Sequence, residues 1–217
     1  MQSLSTVQFA AIAILPLLFG ITLHEVAHGW VAKQLGDKTA LMMGRLTLNP
    51  IKHIDPLGTI LIPGLMMLAG GPIFGWAKPV PVTWQNLRNP KRDMALVALA
   101  GPMANLGMAF FWSLVARMGI MLASVSEWSS VPIILMGKVG IILNLVLMVL
   151  NLLPLPPLDG GRIVTSLLPG PLAYRFSRIE PYGFFILIAL LATGILWKVV
   201  GPPVAGLEQL FGLVAGI

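Results

Sequence analysis

Residues Phe9 to Val31 form an apolar run long enough to cross a bilayer as a helix, yet it carries His24, Glu25 and His28. An ionisable side chain inside such a run costs roughly 2.5 kcal/mol even on lenient insertion scales, so it marks a functional site by default. On a helix, His24 and His28 share one face about 6 Å apart along the axis, the spacing two imidazoles need to grip one zinc ion. Glu25 lies on the adjacent edge of that face, where it can hold a water and take its proton without binding the metal. The plainer alternative, a chance match or polar residues at a helix end, fits poorly with a motif set inside a membrane-grade helix.

The remaining chain supports a membrane setting. Of 217 residues, 57% are hydrophobic and only 10% charged, with a mean hydropathy of +0.88, where soluble domains carry about a quarter charged residues. Several further apolar runs exceed about 18 residues, and nothing alternates like a barrel strand. The expected fold is an all-α integral membrane protein. It should have about four to six transmembrane helices and a re-entrant or hairpin segment, with room for short strands after the first helix. A net charge of +6 does not imply nucleic acid, because the basic residues are spread through short loops, where membrane topology accounts for them. There is no cysteine, which excludes disulfides, thiolate ligands and a cysteine nucleophile. Met1 to Thr6 lacks a basic n-region and the following run carries the histidines, so it is not expected to be a cleaved signal peptide.

In chain order, the spans expected are Phe9 to about Lys33, Met94 to Ala116, Ile133 to Leu153 and Tyr182 to Val199, with a tail from Gly201 too short to cross. The alternation after Gly36, through Arg45-Leu-Thr-Leu-Asn49, allows one or two short strands. Leu57 to Gly75 is apolar but broken by Pro63, Gly64, Gly70, Gly71 and Pro72. Basic residues flank it on both sides, so by the positive-inside rule it dips in and returns, although a plain span stays open. On this topology 11 of the 14 Lys and Arg residues lie inside, and Arg117, Lys138 and Lys198 do not.

A catalytic zinc usually takes three protein ligands. The candidates for the third are His53, Asp37, Asp55, Asp93, Asp159, Glu127, Glu180 and Glu208. The topology favours Asp159, at the end of an apolar helix that returns to the same side as His24 and His28, with Gly160 and Gly161 leaving room for a tight backbone. Its alternative is a turn Asp in an Asp-Gly loop. Asn105 and Asn151 are amides in apolar helices; each either bonds a neighbouring helix or contacts substrate backbone or an oxyanion. His53 reads as a loop histidine.

His24-Glu-Val-Ala-His28, Asn49-Pro-Ile-Lys-His-Ile-Asp-Pro-Leu-Gly58, Gly75-Trp-Ala-Lys-Pro-Val-Pro81, Gly101-Pro-Met-Ala-Asn105 and Asn151 through Leu158-Asp159-Gly160 occur in this order. Together they resemble the site-2 protease family of intramembrane zinc metalloproteases, over about residues 20 to 165. The resemblance implies one Zn2+ per chain held by His24, His28 and Asp159, with Glu25 as the catalytic carboxylate. It implies a hydrolase that cleaves peptide bonds within or next to transmembrane segments of protein substrates, in regulated intramembrane proteolysis. It also implies the compact subgroup without a PDZ domain, residues 1–217 forming one transmembrane peptidase domain. The setting implied is the lipid bilayer of a bacterial or archaeal cytoplasmic membrane, the site facing the cytoplasm, with no nucleic-acid partner and the oligomeric state open. A transporter would want inverted repeats and ionisable residues on several helices. A dead scaffold would more naturally have lost Glu25 or a ligand.

Overall fold

A computed structural model of the chain describes residues 5–68 and 75–217, and among these no strand occurs. Helix α1 (Thr6–Gln34) opens with a capping box: Ser5 Oγ accepts from the Gln8 N–H, and the Gln8 side chain accepts from the Ser5 N–H. It stops at Leu35, after which Gly36 turns at φ 117, a left-handed value that glycine adopts without strain. A single turn follows, α2 (Thr39–Met42), and then a 3-10 turn at Pro50–His53. The strands allowed by the alternation near Arg45 are not formed, since no partner ladder lies beside them and an isolated alternating segment has nowhere to place its backbone groups.

Asp55 caps the next element, accepting from the N–H groups of Leu57 and Gly58, and a π-helical turn (Pro56–Leu61) runs into α3 (Ile62–Leu68). Residues 69–74 of the expected hairpin lie outside the described residues. Its two ends are described. The Trp76 N–H donates to the Gly58 carbonyl at 3.0 Å, and the Thr59 hydroxyl to the Trp76 carbonyl at 2.8 Å. A spanning segment would hold its ends about 30 Å apart. Here they are hydrogen-bonded, so residues 58–59 and 76 lie side by side.

The bundle itself is built from α4 (Pro90–Leu122), α5 (Glu127–Asn151), α6 (Asp159–Leu167), α7 (Gly170–Ser177), α8 (Glu180–Ala192) and α9 (Ile195–Ala215). Helices α1, α4 and α5 are each long and apolar enough to cross a membrane. The last expected span, Tyr182 to Val199, is not one helix. It breaks at Thr193 and Gly194, where Gly194 takes φ 72, and α8 and α9 meet at 81°. Counted as one broken span, the pair brings the total to four among the described residues. The residues from Gly201 onward are not a loose tail, because α9 buries Leu196, Val200, Val204, Phe211 and Ala215 against α4 and α5.

Helix α4 is the hub and packs on α1, α5, α6 and α9. Its core face is Met108, Ala109, Trp112 and Ala116, against Ile141, Leu145 and Met148 of α5. The close approach needs Gly137: a Cβ there would lie 2.6 Å from the Ala116 Cβ. Small residues take this role in membranes because lipid supplies no hydrophobic drive, so contact area must come from backbones that approach closely. Phe19, Phe110, Phe111 and Phe185 stand exposed on the outside, a liability in water that a bilayer removes. The protein is an integral membrane protein.

Between the hairpin and α4, segment 75–83 lies against the C-terminal half of α1, where Val80 reaches Glu25 and Gly29. Its Lys78 N–H donates to the His53 carbonyl, and Arg45 Nη2 donates to the Lys78 carbonyl, both at 2.9 Å. Farther along it is pinned by Asp37, a buried carboxylate that accepts from the Thr39 N–H and hydroxyl, the Thr83 N–H and the Asn86 amide. Burial pushes the Asp37 carboxyl up. The hydroxyl and N–H of Thr39, then Thr83 and Asn86, outweigh burial and hold it below the usual range. A depressed carboxyl contributes stability that is present above its unfolded pKa of about 4 and lost as pH falls further. Asp37→Asn should therefore lower stability at neutral pH by about 1–3 kcal/mol and flatten the loss below about pH 4. Thermal unfolding in detergent at several pH values checks both, and an unchanged acid limb would count against this account.

Candidate active site

His24 and His28 project from one face of α1, and α4 and the start of α6 close over them. Asp159 is the first residue of α6, placed after the proline-rich turn that follows Asn151. Gly160 and Gly161 let that turn fold tightly, since a Cβ on either would strike the backbone of Leu152 or Pro156. All three side chains are buried. His24 Nε2 lies 3.0 Å from His28 Nε2 and 3.1 Å from Asp159 Oδ2, and His28 Nε2 lies 3.3 Å from the same oxygen. Zinc–nitrogen bonds of about 2.0–2.1 Å in a tetrahedron would separate ligand atoms by about 3.3 Å, so the three atoms outline one face of such a site.

Two further observations fit a cation here. Asp159 Oδ2 is buried with no hydrogen-bond donor among the described residues, and an uncompensated buried carboxylate oxygen costs several kcal/mol. Across from it stands Gly101 of α4, whose missing Cβ is what leaves room: one placed there would collide with His28 Nε2 and come within 2.6 Å of His24 Nε2. Among the described residues, His24, His28 and Asp159 form the group of metal-capable side chains.

The outer nitrogens of the two rings are held as well. His28 Nδ1 donates to the Val97 carbonyl at 2.7 Å, and His24 Nδ1 meets Asn105 Oδ1 at 2.6 Å. Glu25 stays off the cluster. Its Oε2 accepts the Val80 N–H at 2.6 Å, so the extended segment between Pro79 and Pro81 presents its backbone donor to this carboxylate.

The structure thus brings His24, His28, Asp159 and Asn105 together and sets Glu25 beside them. Asn151, at the C-terminal end of α5, spends one amide hydrogen on the Leu147 carbonyl at 2.9 Å and keeps a second. His53 lies apart, buried, its Nε2 donating to the Thr47 carbonyl at 2.9 Å. Sequence reasoning missed Val97, and it carried Val80 and Gly101 only inside longer motifs, without a role. Backbone groups leave no residue-type signal, and only the Gly-Pro step at 101–102 hinted at a close approach.

The fold is that of a helical membrane protein with a buried His, His, Asp cluster able to hold a metal ion and the Glu25 carboxylate beside it. The Peptidase family M50 model matches residues 118–193, the stretch that contains Asp159. The protein named "Putative zinc metalloprotease YwhC" of Bacillus subtilis is 40% identical over 210 residues, covering 94% of this chain and 91% of that one. Two proteins named "Putative zinc metalloprotease Rip2" are each 32% identical. That of Mycolicibacterium smegmatis aligns over 193 residues (88% of this chain, 71% of that one), and that of Mycobacterium tuberculosis H37Rv over 143 residues (66% and 52%). No solved structure gives a significant match. The chain belongs to peptidase family M50, the site-2 protease family.

Proposed function

We propose that this enzyme is an intramembrane zinc metalloprotease that hydrolyses peptide bonds within or next to transmembrane segments of other proteins, residues 1–217 forming one peptidase domain. The observation that carries this reading is the convergence of His24 Nε2, His28 Nε2 and Asp159 Oδ2 inside a membrane bundle, with Glu25 free of the cluster. The names of its relatives support zinc as the metal, one per chain.

His24, His28 and Asp159 would hold the ion, three protein ligands being the usual complement of a catalytic zinc. Bound zinc would acidify a water and polarise the scissile carbonyl. Glu25 takes the proton of the attacking water and passes it to the leaving amine, and the Val80 N–H fixes the carboxylate that does so. The remaining amide hydrogen of Asn151 serves as a donor to the oxyanion or the substrate backbone. An intact substrate helix hides its carbonyls in hydrogen bonds, so the segment must unwind locally before attack.

The charge distribution supports a site toward the cytoplasmic side, with Lys78, Arg88, Lys91 and Arg92 next to the hairpin and Arg162, Arg175 and Arg178 after α5. Single cysteines report this cleanly, as the chain has none of its own. A cysteine at Gln85 or Arg175 should be shielded from an impermeant outside reagent and one at Glu127 should react. Labelling of Gln85 from outside would overturn the orientation. The activity itself is tested by co-reconstituting candidate membrane helices with the enzyme. Cleavage that a zinc chelator abolishes and added zinc restores is expected, and chelator-resistant cleavage would reject the metal mechanism.

A further inference from the structure

Asn105 is fully buried in α4, and its amide has no spare hydrogen. The Gly20 carbonyl of α1 can only accept, and it lies 3.2 Å from Asn105 Nδ2. Asn144 of α5 donates its own nitrogen to the Gly140 carbonyl at 2.9 Å and turns Oδ1 to the same Asn105 Nδ2 at 3.1 Å. Two acceptors therefore hold the two hydrogens of Nδ2, which forces Oδ1 toward His24 Nδ1 at 2.6 Å. An amide oxygen cannot donate. His24 must carry its proton on Nδ1, and the neutral ring then presents a lone pair at Nε2, the atom that faces Asp159 and His28. For His28 the Val97 carbonyl achieves the same directly.

We infer that Asn105 is a positioning residue of the metal centre: it sets the tautomer and ring plane of His24, taking its own orientation from Gly20 and Asn144. Of the two roles the sequence left open for Asn105, a bond to a neighbouring helix and a contact to substrate or an oxyanion, this reading builds on the first, because an oxyanion needs a donor and both donors of Asn105 are engaged. The inference rests on the reading that His24 ligates zinc. It makes Asn105 more than interhelical glue, since the bonds from α5 through α4 end on the Nδ1 proton of His24, the ring whose Nε2 faces the cluster.

The test separates acceptor from glue. Asn105→Leu removes the acceptor and both donors. Asn105→Asp removes the donors but keeps an oxygen facing the His24 Nδ1–H. Zinc affinity, measured by competition with a chromophoric chelator in detergent, should fall about 10–100-fold in Asn105→Leu and stay within a few-fold of wild type in Asn105→Asp. Thermal stability should drop in both. Should Asn105→Leu fail to fold, Asn105→Ala, which also lacks the acceptor, takes its place in the same comparison. Wild-type affinity in the Leu or Ala variant, or equal weakening in Asn105→Asp, would overturn the inference. His24→Ala measured alongside keeps the two ideas distinct: if it binds zinc as tightly as wild type, the ligand assignment itself is wrong.

Discussion

Glu25→Gln should leave zinc content and fold near wild type while peptide cleavage falls by at least ~10²-fold, the scale that loss of a general base reaches. The structure sharpens this expectation. Glu25 Oε2 accepts the Val80 N–H, and a glutamine oxygen can accept the same bond, so segment 75–83 should remain in place. Only the capacity to take a proton is lost. Asn151→Ala should also keep zinc, with a fall in cleavage nearer ~10²-fold, as seen when one oxyanion donor is removed. A transporter would show altered flux with no hydrolysis to lose. Wild-type cleavage of a verified substrate by zinc-loaded Glu25→Gln would end the general-base assignment.

His24→Ala, His28→Ala and Asp159→Ala should each lower zinc sharply from about one ion per chain, with activity following. These side chains converge within 3.3 Å, so removing any one opens the triangle that the other two complete. His53→Ala is the matched control. Its ring is buried too, but it is bonded to the Thr47 carbonyl and stands outside the cluster, so zinc should stay near one per chain. Elemental analysis of purified protein decides the matter, and normal zinc in Asp159→Ala would remove the third ligand. Stripping the metal should also lower the melting temperature of the wild type, because the orphaned Asp159 oxygen then lacks its counter-charge. In Asp159→Ala the chelator should change little.

Membrane class, the helical character of α1 and the pairing of His24 with His28 follow from local rules. Hydropathy responds to the bilayer and i, i+4 spacing to helix pitch, and neither needs a partner element. For the 57–75 segment, loop charges on both flanks favoured a return and left a plain span open, and the hydrogen bonds between its two ends came only with the structure. Asp159 was legible only by combining topology with motif.

Tertiary packing decided the rest. Whether residues 182–199 form one helix depended on Gly194 taking a left-handed conformation while α9 found a face on α4 and α5, and apolar composition is identical for straight and broken helices. The alternating stretch near Arg45 made no strand because strands exist only in pairs. The groups that hold the candidate site in order, the Val97 carbonyl, the Val80 N–H and the Asn105 amide, lie 55 to 81 residues from the side chains they hold. Two of the three are backbone atoms that any residue type carries. The Val97 carbonyl and the Asn105 amide meet His28 and His24 where Gly101 has no Cβ and lets α4 settle against α1, and the Val80 N–H reaches Glu25 where Gly29 leaves room for the Val80 side chain, consequences of shape that no spacing along the chain records.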